Sequence, residues 1–143
     1  MDVSFKQIYT QNISPKLMDI DVFLKTNDAP YNPIEVALVL GMPTEEVTDL
    51  MKEHNIQAIT LVDFFTIVSH ASSYICRLIT RQWKYTFSPA YTPEMIAYIY
   101  ELNLAKVQEA FKLLGKCYIA PHEILDVFNH IPTTIFVLGS QTT

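Results

Sequence analysis

Glycine is scarce in this chain: three in 143 residues, at 41, 115 and 139. A loop that cradles phosphate needs several glycines close together, so nucleotide chemistry of that kind is excluded. Charge is also scarce. Only 17% of residues are charged, against about a quarter in an ordinary domain. Cysteine occurs twice, at Cys76 and Cys117, and "MDVSFKQIYT" has no basic start leading into an apolar run. The expectation is a cytoplasmic chain with two reduced, mostly buried thiols. The sequon at Asn12 then carries no meaning. No unbroken run of about 20 apolar residues exists to span a membrane. The best candidate, residues 59–79, is interrupted by Asp63, Ser69, His70, Ser72, Ser73 and Arg77, and it reads as core helix.

Catalytic signatures are missing as well. There is no nucleophile elbow, zinc-protease or kinase pattern. The four histidines are His54, His70, His122 and His130. Cys117 and His122 lie five apart, but no third or fourth ligand follows at a zinc-like spacing. No metal, no cofactor and no enzymatic activity are expected. What is present is apolar material, half of all residues. That is enough for a sizeable core with apolar surface left over, which favours a protein partner or a second copy of the chain.

An internal repeat organises the chain. Sliding the sequence by 60 lays residues 31–70 over 91–130 without a gap. Tyr31/Tyr91, Pro33/Pro93, Ala37/Ala97, Val47/Val107, Lys52/Lys112, Ile59/Ile119 and His70/His130 coincide. Val36/Ile96, Val39/Ile99, Met42/Leu102, Met51/Phe111, Phe65/Leu125 and Ile67/Val127 keep apolar character, and Asp49/Glu109 and Asp63/Glu123 keep acids. Such periodicity is the mark of a duplicated unit.

Each copy reads the same way. Proline at a first helical position opens "PIEVALVL" or "PEMIAYIY". That helix stops near Gly41 or near residues 101–103. A second helix follows, with Val47, Leu50, Met51 and His54, or Val107, Ala110, Phe111 and Leu114, at helical spacing. Asn55 and Gly115 stand just beyond it, where a left-handed cap is wanted. A brief strand, "IQAIT" or "KCYIA", precedes a third helix starting near Thr60 or Pro121. The second copy ends at "NHIP", because Pro132 cannot continue a helix. In the first copy the apolar face runs on through Leu61, Phe64, Phe65, Val68, Ala71, Ile75, Leu78 and Ile79 to Trp83. This predicts one central helix over 61–84, roughly 36 Å long at 1.5 Å per residue. A short helix is expected around "SPKLMDIDVFLK" with Ser14 as cap, and a strand at 134–138. The expected fold is mainly α: two helix-turn-helix-like repeats around a long central helix, with a few short β-strands. The expected organisation is one compact domain over 1–143: repeat one at 31–70, the helix extension and linker at 71–90, repeat two at 91–130, and the tail at 131–143.

The net charge of −5 is unevenly spread. Residues 31–70 carry one base and six acids; residues 71–90 carry Arg77, Arg81 and Lys84 and no acid. Tyr74, Arg77, Arg81 and Lys84 form a stripe at spacings of three and four. Such a stripe beside aromatics holds a phosphate backbone in some proteins. The plainer reading, which we weight more, is bases favouring a helix C-terminus and pairing with acids. His70 and His130, equivalent in the repeat, are expected to cap helix ends or pack. Tyr74, Trp83, Tyr98 and Tyr100 are candidate partner-binding residues, with Tyr98 and Tyr100 flanking the core face of their helix.

Ala37, Leu40-Gly41 at the turn, Val47 and Leu50 facing inward, and "IQAIT" after them together resemble the helix-turn-helix of excisionase-like and MerR-like winged-helix proteins. The resemblance covers about 30 residues in each copy and implies tandem DNA-binding modules whose second helix enters the major groove. Copy one departs from it, placing Glu45, Glu46, Asp49 and Glu53 where phosphates would lie. Copy two offers Lys106, Gln108, Lys112 and Lys116. Two functions therefore follow. The first is a non-enzymatic protein-interaction or adaptor domain that self-associates. The alternative is a DNA-binding regulator using Arg77, Arg81, Lys84, Lys106, Lys112 and Lys116, which the acidic balance disfavours.

Overall fold

The computed structural model describes residues 2–134. In chain order they form β1 (Asp2–Ser4), α1 (Phe5–Ile8), a π-helical turn (Tyr9–Ile13), α2 (Ser14–Thr26), α3 (Pro33–Leu40), α4 (Thr44–Glu53), α5 (Leu61–His70), α6 (Tyr74–Trp83), α7 (Pro93–Tyr100), α8 (Leu104–Leu114), a 3₁₀ turn (Pro121–Glu123), α9 (Ile124–Asn129) and β2 (Pro132–Thr134). The fold is mainly α with one small antiparallel sheet, β1 against β2. The strand expected at 134–138 lies outside the described residues apart from Thr134, which ends β2.

The chain divides into two compact units, residues 14–84 and residues 2–13 with 85–134, with the division between Lys84 and Tyr85. Each unit contains one copy of the repeat, and the local geometry repeats at the same offset of 60. Pro33 and Pro93 open α3 and α7, capped by the side chains of Asn32 and Thr92. Both helices end on a left-handed residue, Gly41 (φ 68°) and Glu101 (φ 56°). The N–H two residues past each helix donates back across the turn: Met42 to the Ala37 carbonyl and Leu102 to the Ala97 carbonyl, 3.0 Å each. The second helices end alike, on Asn55 (φ 55°) and Gly115 (φ 67°). There Ile56 donates to Met51 (2.8 Å) and Lys116 to Phe111 (3.0 Å). All four ends are of the kind that satisfies orphan carbonyls through a left-handed residue.

The brief strands contract to one bridge per copy, Tyr31 with Ile59 and Tyr91 with Ile119. Each bridge ties the start of the first helix to the start of the third. The buried residues follow the pairing. Val36/Ile96, Ala37, Val47/Val107, Ile59/Ile119 and Ile67/Val127 are inside.

One expectation is corrected. The central helix of 61–84 is two helices, α5 and α6, separated by residues 71–73. The apolar face does cross the gap, since Val68, Ala71, Ile75 and Leu78 are all buried. Periodicity therefore cannot detect the break. Local hydrogen bonding makes it: Ser73 takes an extended conformation (ψ 150°) and its hydroxyl caps α6 through the Cys76 N–H, 3.3 Å away. Serine competes well for such positions. Glu46 of α4 holds the same junction, accepting from the Ser72 N–H (2.7 Å) and hydroxyl (2.8 Å).

Each unit closes its core with an element from outside the repeat. In residues 14–84, α2 brings Phe23 to the rings of Tyr31 (5.4 Å) and Phe64 (6.1 Å). In the other unit the N-terminal segment brings Phe5 and Tyr9 to Phe128, at 4.7 and 5.1 Å between centroids, and both also meet Tyr100. Phe5 further donates its N–H to the Ile131 carbonyl (2.8 Å).

Candidate functional site

The basic stripe lies on α6, whose inner face buries Ile75, Cys76 and Leu78. Tyr74 and Arg77 are half-buried, with the guanidinium 5.9 Å from the Tyr74 ring centroid. Arg77 also donates to the Ser72 carbonyl, within the break before α6. Arg81 is half-buried, and Lys84 is the exposed C-terminal cap. Cationic side chains in the last turn favour the helix dipole. Trp83 is exposed and packs edge-on against Phe65 (5.4 Å).

Of the lysines of copy two, Lys106 and Lys112 lie on α8 and Lys116 just beyond its end. Lys106 donates to the Pro132 carbonyl at 3.2 Å. Lys116 pairs with Glu123, whose carboxylate also accepts from the Ala120 N–H at 2.9 Å. These bonds from Lys116 and Ala120 hold the Glu123 carboxyl below its ordinary value. Lys112 is exposed. Tyr98 is partly exposed and meets Tyr85 edge-on (6.2 Å), whereas Tyr100, at 4% exposure, belongs to the aromatic core.

The thiols split in their environments. Cys76 is buried and its pKa is pushed up to about 11, chiefly by burial. Cys117 was expected inside but is exposed, because it follows the left-handed Gly115 at the turn after α8. Both are free thiols.

Two features escape sequence inspection. The first is an open groove of about 500 Å³ between α2 and α3, lined among others by Val22, Leu38, Asp19 and Glu35. Met18 and Ile34, one turn before Val22 and Leu38 on their helices, are also exposed. Ile34 and Leu38 lie four apart on α3, but the sequence does not show that they meet α2. The second is the contact of His54 with His70, ring centroids 4.4 Å apart. The repeat pairs His70 with His130, but the fold places His70 beside His54, at the ends of α5 and α4. Both His70 and His130 do stand at helix ends and are exposed. Among the described residues no three His, Cys, Asp or Glu side chains gather as a metal cluster, and no helix is long and apolar enough to cross a membrane.

No family model matches this chain, and neither a curated protein nor a solved structure matches it.

Proposed function

We propose that this chain is a non-enzymatic protein-interaction domain, built on a duplicated helix-turn-helix-like frame, and that it self-associates through the α2–α3 face of residues 14–84. The observation that carries this reading is the exposure of four large aliphatic side chains there. Leu38 is 71% exposed, Met18 64%, Ile34 58% and Val22 50%. Val22 and Leu38 line one groove, with Met18 and Ile34 one turn before them on the two helices, and exposed apolar surface of this kind is seldom left to water. A cytoplasmic setting is supported by the two free thiols.

The DNA-binding alternative receives less support. Counterion release needs cations available to phosphate, and Lys106 and Lys116 are already bonded within their own unit. The resemblance to excisionase-like and MerR-like modules is then one of outline, used without groove chemistry.

Sizing by light scattering across a concentration series tests the reading. The parent chain is expected to form dimers or larger species, and Val22→Asp with Leu38→Asp to return it to one chain with unchanged helicity. A chain that is monomeric at every concentration sinks self-association. A mobility shift with random duplex at micromolar protein and low salt would instead revive the DNA-binding reading.

A further inference from the structure

We infer that His54 and His70 form a two-imidazole site for a divalent transition-metal ion, with Cu²⁺ and Ni²⁺ preferred to Zn²⁺. Three observations converge on it. The rings are adjacent, 4.4 Å between centroids and inclined at 47°. Two imidazoles bound to one ion at about 2.0–2.1 Å and at right angles place their centroids roughly 4.5 Å apart, while a tetrahedral angle opens this to about 5.2 Å. The observed spacing therefore suits the right-angled ligand positions of square-planar or octahedral ions.

The His70 ring is already oriented. Its Nδ1 lies 2.9 Å from the Thr66 carbonyl. A carbonyl only accepts, so in the neutral ring Nδ1 carries the proton and Nε2 keeps its lone pair. Metal-bound histidines are held in this way, the second nitrogen donating to a backbone carbonyl. His54 is half-buried, and turning its ring about the Cβ–Cγ bond, on which the centroid nearly lies, would keep the spacing between the rings.

The electrostatics favour a cation. His54 is the C-terminal cap of α4 and His70 the last residue of α5. Two helix C-termini, each carrying negative partial charge, therefore meet at the site. Remaining ligand positions fall to water, as expected for two protein ligands on an ion that accepts four to six. The site belongs to copy one alone, because Leu114 stands in copy two where His54 stands in copy one.

Titration of the full chain with CuCl₂ and NiCl₂ tests the site, by calorimetry and by electron paramagnetic resonance for copper. The copper work is done in a Cys117→Ser background, since that exposed thiol would itself reduce or bind the ion. One equivalent is expected to bind, with nitrogen hyperfine structure from two imidazoles. His54→Ala and His70→Ala should each weaken binding at least about tenfold, with His54→Gln and His70→Gln as the variants if alanine disturbs the far-ultraviolet dichroism. His122→Ala with His130→Ala should leave binding as in the parent. Binding undiminished in the His54 and His70 variants overturns the assignment, as does loss in the His122/His130 pair.

Discussion

Residues 31–70 and 91–130 share one frame but fill it differently. In copy one the large core aromatic is Phe64, fully buried, and Val68 lies one turn later. In copy two Ile124 takes the first position and Phe128 the second, again fully buried. The shift follows the covering element. α2 brings Phe23 over Phe64, while the N-terminal segment brings Phe5 and Tyr9 over Phe128. Bridges and helix ends stay fixed between copies; the bulky side chain moves toward whatever closes the core. Backbone hydrogen bonding thus sets the frame, and packing is tuned afterwards within it.

Deleting the moved aromatic is the strongest way to break this comparison. Phe128→Ala should cost about 3–5 kcal/mol, read by urea denaturation, and raise hydrogen exchange in both α9 and α1. Phe64→Ala should cost a similar amount but raise exchange in α2 and α5 instead. If either variant loosened both sets of helices equally, the separate closure of each core would be wrong.

Helix ends test whether the frames are equivalent. Asn103 caps α8 by accepting from the Lys106 N–H (3.1 Å), whereas Pro43 at the matching place has no side-chain cap. Asn103→Ala should lower stability by about 1 kcal/mol, and Pro43→Asn should add a smaller amount. At the far ends the residues are exchanged: Asn55 in copy one, Gly115 in copy two, both left-handed. A Cβ at Gly115 meets nothing within 4 Å, so the cost of Gly115→Ala is conformational, about 1 kcal/mol. Asn55→Gly should be neutral to slightly stabilising, and thermal melts distinguish the two.

The smallest effect is one of pH. Glu123 is held below its ordinary value by Lys116 and the Ala120 N–H. A carboxyl depressed in the folded state stabilises above its unfolded pKa, and the contribution is lost as pH falls through the folded one. Glu123→Gln should therefore flatten the acid limb of the stability profile from the ordinary carboxylate range downward, and leave the slope between neutral pH and that range unchanged. A parallel profile in parent and variant would show the pair with Lys116 to be inert.

Much of the frame was legible because it rests on short-range chemistry. Proline at the first turn, left-handed residues at helix ends and the buried faces all lie within a few residues of one another, and the offset of 60 doubled each signal. The break at 71–73 was hidden because an apolar face continues across it while Ser73 ends the helix by a side-chain bond. The N-terminal 13 residues gave no sign of which copy they would cover. The apolar stripe of Val22 and Leu38 and the meeting of His54 with His70 depend on contacts between helices, which spacing along one helix does not encode.

The bridges Tyr31–Ile59 and Tyr91–Ile119 have a genetic consequence. Each brings together two points 28 residues apart in the chain, joined by hydrogen bonds of 2.8 to 3.0 Å. A segment whose two ends are neighbours can be copied, inserted or excised as a block while the flanking chain keeps its path. Each bridged stretch is thus a block that can change by itself: the two blocks keep one frame while copy one carries an acid, Glu46, where copy two carries a lysine, Lys106.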